Sequence, residues 1–231
     1  MIEAEANCSN KASQELKQKL QQTHIAVVGC GGLGCGTLLS LALLGVGILT
    51  LIDDDRVEEK NLQRQILYDL NSVGKYKCNV AKEQLQARTK EVKINTFKER
   101  LTSKNSNQLL KEADIVLDCT DNYTARLVID AFCSKYNVPM VYTGVKASEG
   151  HISVFNYKGG KSMANTFTND QTIFQTEDCN DSRVMPQIVT MASSFQVNEV
   201  VKILQEASNV LQGKLQVFNL SKNVFRVFEL K

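Results

Sequence analysis

The residues Gly29-Cys-Gly-Gly-Leu-Gly34 are the first in this chain whose spacing suggests chemistry. Glycines so placed let the backbone turn sharply and bring its N–H groups against a phosphate. The N-terminus of a helix that follows then favours the negative charge. Asp53 lies about twenty residues beyond, where an acid can accept hydrogen bonds from ribose hydroxyls. Turn and acid point to a nucleotide or a dinucleotide and do not by themselves separate the two.

Such a turn works only if a strand leads in and a helix leads out. His24-Ile-Ala-Val-Val-Gly29 reads as a buried strand, and Gly32 to Leu44 as a leucine-rich helix ended by Gly45. Ile48 to Ile52 reads as the next strand, running into three aspartates. Helices are expected over Ser13 to Gln22, Lys75 to Lys90 and Tyr123 to Tyr136. Further strands are expected over Val92 to Phe97, Ala113 to Asp118, Val138 to Thr143 and His151 to Phe155. A polar loop over Asn156 to Asp181, a long helix from Val184 to Leu211, and strands over Leu215 to Asn219 and Val224 to Phe228 complete the reading. A loop of that length is usually functional or disordered.

This alternation predicts an α/β, Rossmann-like doubly wound fold. Its sheet is mostly parallel, with right-handed crossovers and antiparallel strands at the C-terminal end. One domain over residues 1–231 is expected. Its nucleotide-binding part covers about 23–145, and a crossover loop with a C-terminal part covers about 146–231.

Asp53-Asp-Asp-Arg-Val-Glu-Glu-Lys-Asn61-Leu-Gln-Arg64-Gln65 resembles a segment of the ThiF/MoeB/HesA (E1-like) adenylyltransferases, in which a ribose-binding Asp precedes Asn-Leu-x-Arg-Gln. Val73-Gly-Lys-Tyr-Lys77 and Leu117-Asp-Cys-Thr-Asp121-Asn122 are similar to further signatures of that family in order and spacing. The resemblance runs from about Ser13 to the C-terminus. It implies ATP laid over Gly29, Gly31, Gly32 and Gly34, with its ribose on Asp53 and with Asp55, Gln65 and Asn122 also at the nucleotide. Asn61, Arg64 and Lys77 would surround the triphosphate, setting two cationic side chains beside the spreading negative charge of the transition state. Asp121 would hold Mg²⁺ through oxygen, as a hard cation prefers. Catalytic roles would fall to Arg64, Lys77 and Asp121, and Cys179 aligns with the reactive cysteine of ThiF-like enzymes. The attacking carboxylate is already ionised at neutral pH, so no general base is needed.

Two departures from the family bear on this. Many relatives hold structural zinc with paired Cys-x-x-Cys motifs, whereas the seven cysteines here (8, 30, 35, 78, 119, 133 and 179) contain no such pair. Zinc is expected to be absent, and the odd, scattered set argues for a reducing cytosol over a disulfide scaffold. Relatives also offer an N-terminal Arg across a dimer to the partner subunit's ATP. The first Arg in this chain is Arg56, leaving Lys11, Lys17 or Lys19 to substitute without a forked guanidinium.

A net charge of +2 argues against a nucleic-acid surface. The apolar run near Thr37 to Ile52 is broken by Gly45 and Gly47 and is too short to span a bilayer, so a soluble, cytoplasmic protein is expected. His24 and His151 have no ligand at metal spacing, and both are read as structural. Tyr142 and Lys146 fall on a strand and turn, not on the helix that short-chain dehydrogenase chemistry requires.

The resemblance implies adenylation of the C-terminal Gly-Gly carboxylate of a ubiquitin-like sulfur carrier, with pyrophosphate released. A ThiS-type carrier (thiamine) comes first and a MoaD-type carrier (molybdopterin) next; a sulfur-donor protein and a homodimer are the other expected partners. A partner-dependent, non-catalytic E1-like subunit is the alternative that the missing Arg motivates. An NAD-dependent oxidoreductase would leave Asn61, Arg64, Lys77 and Asp121 without a use.

Overall fold

The computed structural model describes residues 13–167 and 184–230, so Lys11 and Cys179 lie outside the described residues. The strands are β1 (His24–Val28), β2 (Ile48–Ile52), β3 (Lys93–Phe97), β4 (Ile115–Asp118), β5 (Met140–Lys146), β6 (Glu149–Phe155), β7 (Lys214–Asn219) and β8 (Val224–Glu229). The helices are α1 (residues 13–22), α2 (Gly32–Leu44), α3 (Lys77–Gln86), α4 (Ser106–Leu110), α5 (Tyr123–Tyr136), α6 (Met163–Thr166) and α7 (Pro186–Leu204). All eight strands share one sheet, ordered β3-β2-β1-β4-β5-β6-β7-β8. The first five pair in parallel, and β6, β7 and β8 add antiparallel strands beyond β5.

β1 and β4 are near-continuous apolar runs because both of their faces are covered. One face packs against α2, α3 and α7, through Leu38, Leu85 and Ile188 among others. The opposite face packs against α4 and α5, through Leu110, Ile129 and Phe132. Gly45 ends α2 in the left-handed conformation at φ 81°, and Asn137 ends α5 in the same way at φ 54°. α2 and α7 cross closely enough that a Cβ on Gly36 would lie 2.7 Å from Ser193 Oγ.

Two helices are shorter than their sequence suggests. α3 begins at Lys77, not Lys75, because Arg56 and Tyr76 pair as extended chain and the Val57 N–H donates to the Lys75 carbonyl. α7 ends at Leu204, not Leu211, where Glu206 turns left-handed at φ 55°. Val210 and Leu211 still enter the core, but from a loop, and the Leu211 N–H donates to the buried Glu199 carboxylate at 2.9 Å. The short helices α4 and α6 fall where the sequence had suggested none.

Candidate functional site

The strand order reverses between β1 and β4, and the segments leaving their C-terminal ends line one cleft. Open parallel sheets bind ligands at such a reversal. The glycine turn crosses the end of β4 so tightly that a Cβ on Gly29, itself at φ 94°, would sit 2.6 Å from the Cys119 carbonyl oxygen. Gly31 and Gly32 face the cleft, and no side chain caps the first turn of α2. Gly34 does not line the cleft; a Cβ there would lie 2.1 Å from the Gly29 carbonyl oxygen, so its part is to let the turn close.

Asp53 fastens this turn to the end of β2. Its carboxylate accepts the Cys30 N–H at 2.6 Å and the Asp55 N–H at 2.8 Å. Burial pushes the carboxyl pKa up, against the pull of Lys77 and these two N–H donors. The Tyr68 hydroxyl holds the turn from the other side, donating to the Cys30 carbonyl at 2.7 Å.

A 3-10 turn over Glu59–Asn61 and the segment after it supply the next groups. Arg64 is buried in the cleft wall and donates from Nη2 to Asn61 Oδ1 at 2.8 Å; Asn61 in turn donates to Glu58 Oε2 at 3.3 Å. Gln65 is 3% exposed and lines the same cleft, and its Oε1 has no hydrogen-bond partner among the described residues. Lys77 opens α3 with its ammonium 2.7 Å from Asp55 Oδ2. Burial opposes that charge, but Asp53 and Asp55 outweigh it and hold the ammonium pKa above its ordinary value.

Asp121 and Asn122 reach the cleft from the end of β4. Asn122 caps α5 by accepting the Ala125 N–H at 2.8 Å, which leaves Asp121 exposed to the cleft and free of a capping role. The acids Asp53, Asp54 and Asp55 also bring their oxygens within 4.8 Å of one another. Asp54 is engaged by Arg100 at 3.2 Å and Asp55 by Lys77. Oxygen donors of this kind suit a hard divalent cation, and among the acids lining the cleft Asp121 is in no hydrogen bond or ion pair with another described residue.

Of the predicted site residues, Gly29, Gly31, Gly32, Asp53, Asp55, Asn61, Arg64, Gln65, Lys77, Asp121 and Asn122 converge on this cleft. Lys19 is committed elsewhere, donating to the Leu204 carbonyl at the end of α7 at 2.8 Å. Cys30, Cys35, Cys78, Cys119 and Cys133 are buried thiols, with Cys35 pushed up to about 12 by its burial. That keeps it protonated and unreactive. The sequence reading missed three groups. Glu58 receives Asn61. Gln196 on α7 donates to the Asp118 and Val141 carbonyls at 3.0 and 3.1 Å and accepts the Thr37 hydroxyl at 2.8 Å. Asp118 pairs with Arg126 beneath Asp121. The signal for this pair was available: Arg126 and Asp130 share the buried face of α5 with Ile129 and Cys133, and charges on such a face demand partners.

A parallel sheet reversing over a glycine turn, with cations and acids gathered above it, is a doubly wound α/β architecture. This chain belongs to the ThiF family, whose model matches residues 5–231. It is 34% identical over 215 residues to the adenylyltransferase and sulfurtransferase UBA4 of Meyerozyma guilliermondii, covering 92% of this chain and 51% of that protein. It is 32% identical over 214 residues to a probable molybdopterin-synthase adenylyltransferase of Gracilaria tenuistipitata var. liui, covering 93% of this chain and 60% of that one. The chain thus spans between half and three-fifths of the length of these relatives. Among solved structures, that of E. coli MccB with ATP superposes with a TM-score of 0.82 at 21% identity, covering 94% of this chain and 66% of that chain, a likeness of fold. No helix among the described residues is long and apolar enough to cross a membrane.

Proposed function

We propose that this chain is an ATP-dependent adenylyltransferase acting on the C-terminal Gly-Gly carboxylate of a ubiquitin-like sulfur carrier. The observation that carries this reading is the convergence of Arg64, Lys77, the open acceptor of Gln65, Asp53 and Asp121 on one cleft above the glycine turn. Asp53 would receive the ribose hydroxyls, and Arg64 and Lys77 would lie along the phosphates. A carboxylate oxygen of the carrier would attack the α-phosphorus, forming a C–O–P linkage as the bond to the β-phosphate breaks and pyrophosphate leaves. Held by Asp121, Mg²⁺ would offset the charge of the phosphates.

The named relatives favour a MoaD-type carrier and molybdopterin assembly over a ThiS-type carrier and thiamine. A sulfur donor would consume the acyl adenylate, and the protein would work as a homodimer. The expected result is carrier-dependent exchange of labelled pyrophosphate into ATP, reduced about a hundredfold by Arg64→Ala or Asp121→Ala. Exchange no higher than in a blank without carrier, for both carrier types, rejects the proposal. The commitment of Lys19 to Leu204 keeps a second reading in view, a subunit needing an E1-like partner to supply the missing cation. Exchange appearing only after such a partner is added identifies that case.

A further inference from the structure

Asp121 is presented by a short turn between β4 and α5, and that turn is clasped from beneath by a buried ion pair. Asp118 and Arg126 are both fully buried, with Arg126 Nε 3.2 Å from Asp118 Oδ2. Asp118 Oδ1 accepts the Thr120 N–H at 2.9 Å and the Thr120 hydroxyl at 2.6 Å. Arg126 Nη2 closes the ring by donating to the Thr120 carbonyl at 3.0 Å. The guanidinium also lies 5.1 Å from the centre of the Tyr142 ring, which fixes its plane against β5. Every polar atom of Thr120 is therefore tied to one carboxylate or one guanidinium, while its neighbour Asp121 is left exposed to the cleft.

Stability alone is a poor reason for such an arrangement. Removing two charges from water is costly, and apolar side chains of the same volume often hold a fold equally well. What the pair does that apolar packing could not is fix the path of residues 118–122, because it grips their backbone and not only their side chains. Arg126 is absent from the cleft lining and so touches no ligand there.

We infer that Arg126 is a positioning residue that, through Asp118 and Thr120, sets the Asp121 carboxylate for a divalent cation. This rests on Asp121 being the cation-holding acid of the proposed function. A charge balance comes with it: the guanidinium offsets the Asp118 carboxylate, so at this turn the negative charge of Asp121 is the one offered to the cation.

The test is a calorimetric titration of the full chain with ATP, with and without Mg²⁺, which needs neither carrier nor turnover. In the unaltered protein Mg²⁺ should tighten ATP binding, and Asp121→Asn should abolish that gain. The double variant Asp118→Asn with Arg126→Gln removes both charges and leaves none buried alone. It should bind Mg²⁺-free ATP as the unaltered protein does and lose about tenfold or more of the Mg²⁺ gain. If that variant does not fold, Thr120→Val, which keeps the ion pair, should reduce the gain about threefold. A full Mg²⁺ gain in the double variant, or in Thr120→Val where the double variant is unfolded, overturns the inference while Asp121→Asn still upholds the cation reading. No gain in the unaltered protein overturns both.

Discussion

The parallel and antiparallel parts of the sheet are continuous in hydrogen bonding and opposite in what they do with polar groups. From β3 to β5 every strand ends on the same side, so the segments after β1, β2 and β4 are delivered to one place. There the chain buries charge and accounts for it, with Asp53 on two backbone donors and Asp118 on Arg126. In the antiparallel part successive strands end on alternate sides, and nothing accumulates. Its charged contacts stay local, His151 with Glu149 at 2.9 Å along β6 and Lys214 with Glu229 at 3.4 Å from β7 to β8, and the outer strand β8 leaves Phe225, Val227 and Phe228 about half exposed. Direction of pairing, more than composition, decides where chemistry can gather.

The sharpest way to break this comparison is Gly34→Ala. Its new methyl would meet a backbone carbonyl that cannot swing aside, and a loss of about 3 kcal/mol or more in urea unfolding is expected. Unfolding at the concentration of the unaltered protein would mean that the turn is not as confined as its geometry says. Gln196→Leu is expected to cost somewhat less, about 2 kcal/mol, since it strands the Asp118 and Val141 carbonyls and the Thr37 hydroxyl in the interior. The same measurement on Val227→Thr in β8 should differ from the unaltered protein by no more than about 0.5 kcal/mol. A larger loss there would put structural weight on the half that carries no cleft.

Much of the parallel half is legible in the sequence. The helix Gly32–Leu44 and the strand Ile48–Ile52 fall where the pattern put them, because a strand, a glycine turn and a left-handed glycine stop are all local signals. The helix Tyr123–Tyr136 was legible from its pattern as well, and Asn122, not Asp121, caps it. The end of α7 was not legible. Ile203, Leu204, Val210 and Leu211 continue an apolar stripe at helical spacing, yet the last two reach the core across a turn that a carboxylate from the helix itself secures. Periodicity records that residues face the core and not which backbone takes them there. The role of Arg126 was hidden for a related reason, since its partner depends on how a strand end and a helix start are stacked.

The amide of Gln196 has a consequence for how the protein is made. Its oxygen accepts a hydrogen bond from the hydroxyl of Thr37, a residue 159 positions earlier in the chain. At ordinary rates of synthesis, translation from one residue to the other takes roughly 8–30 seconds. Over that interval the Thr37 hydroxyl, joined by the Asp118 and Val141 carbonyls as they are made, lacks the helix that will meet it. The hydrogen bonds that close the cleft-bearing half are therefore completed only once the C-terminal helix has been made.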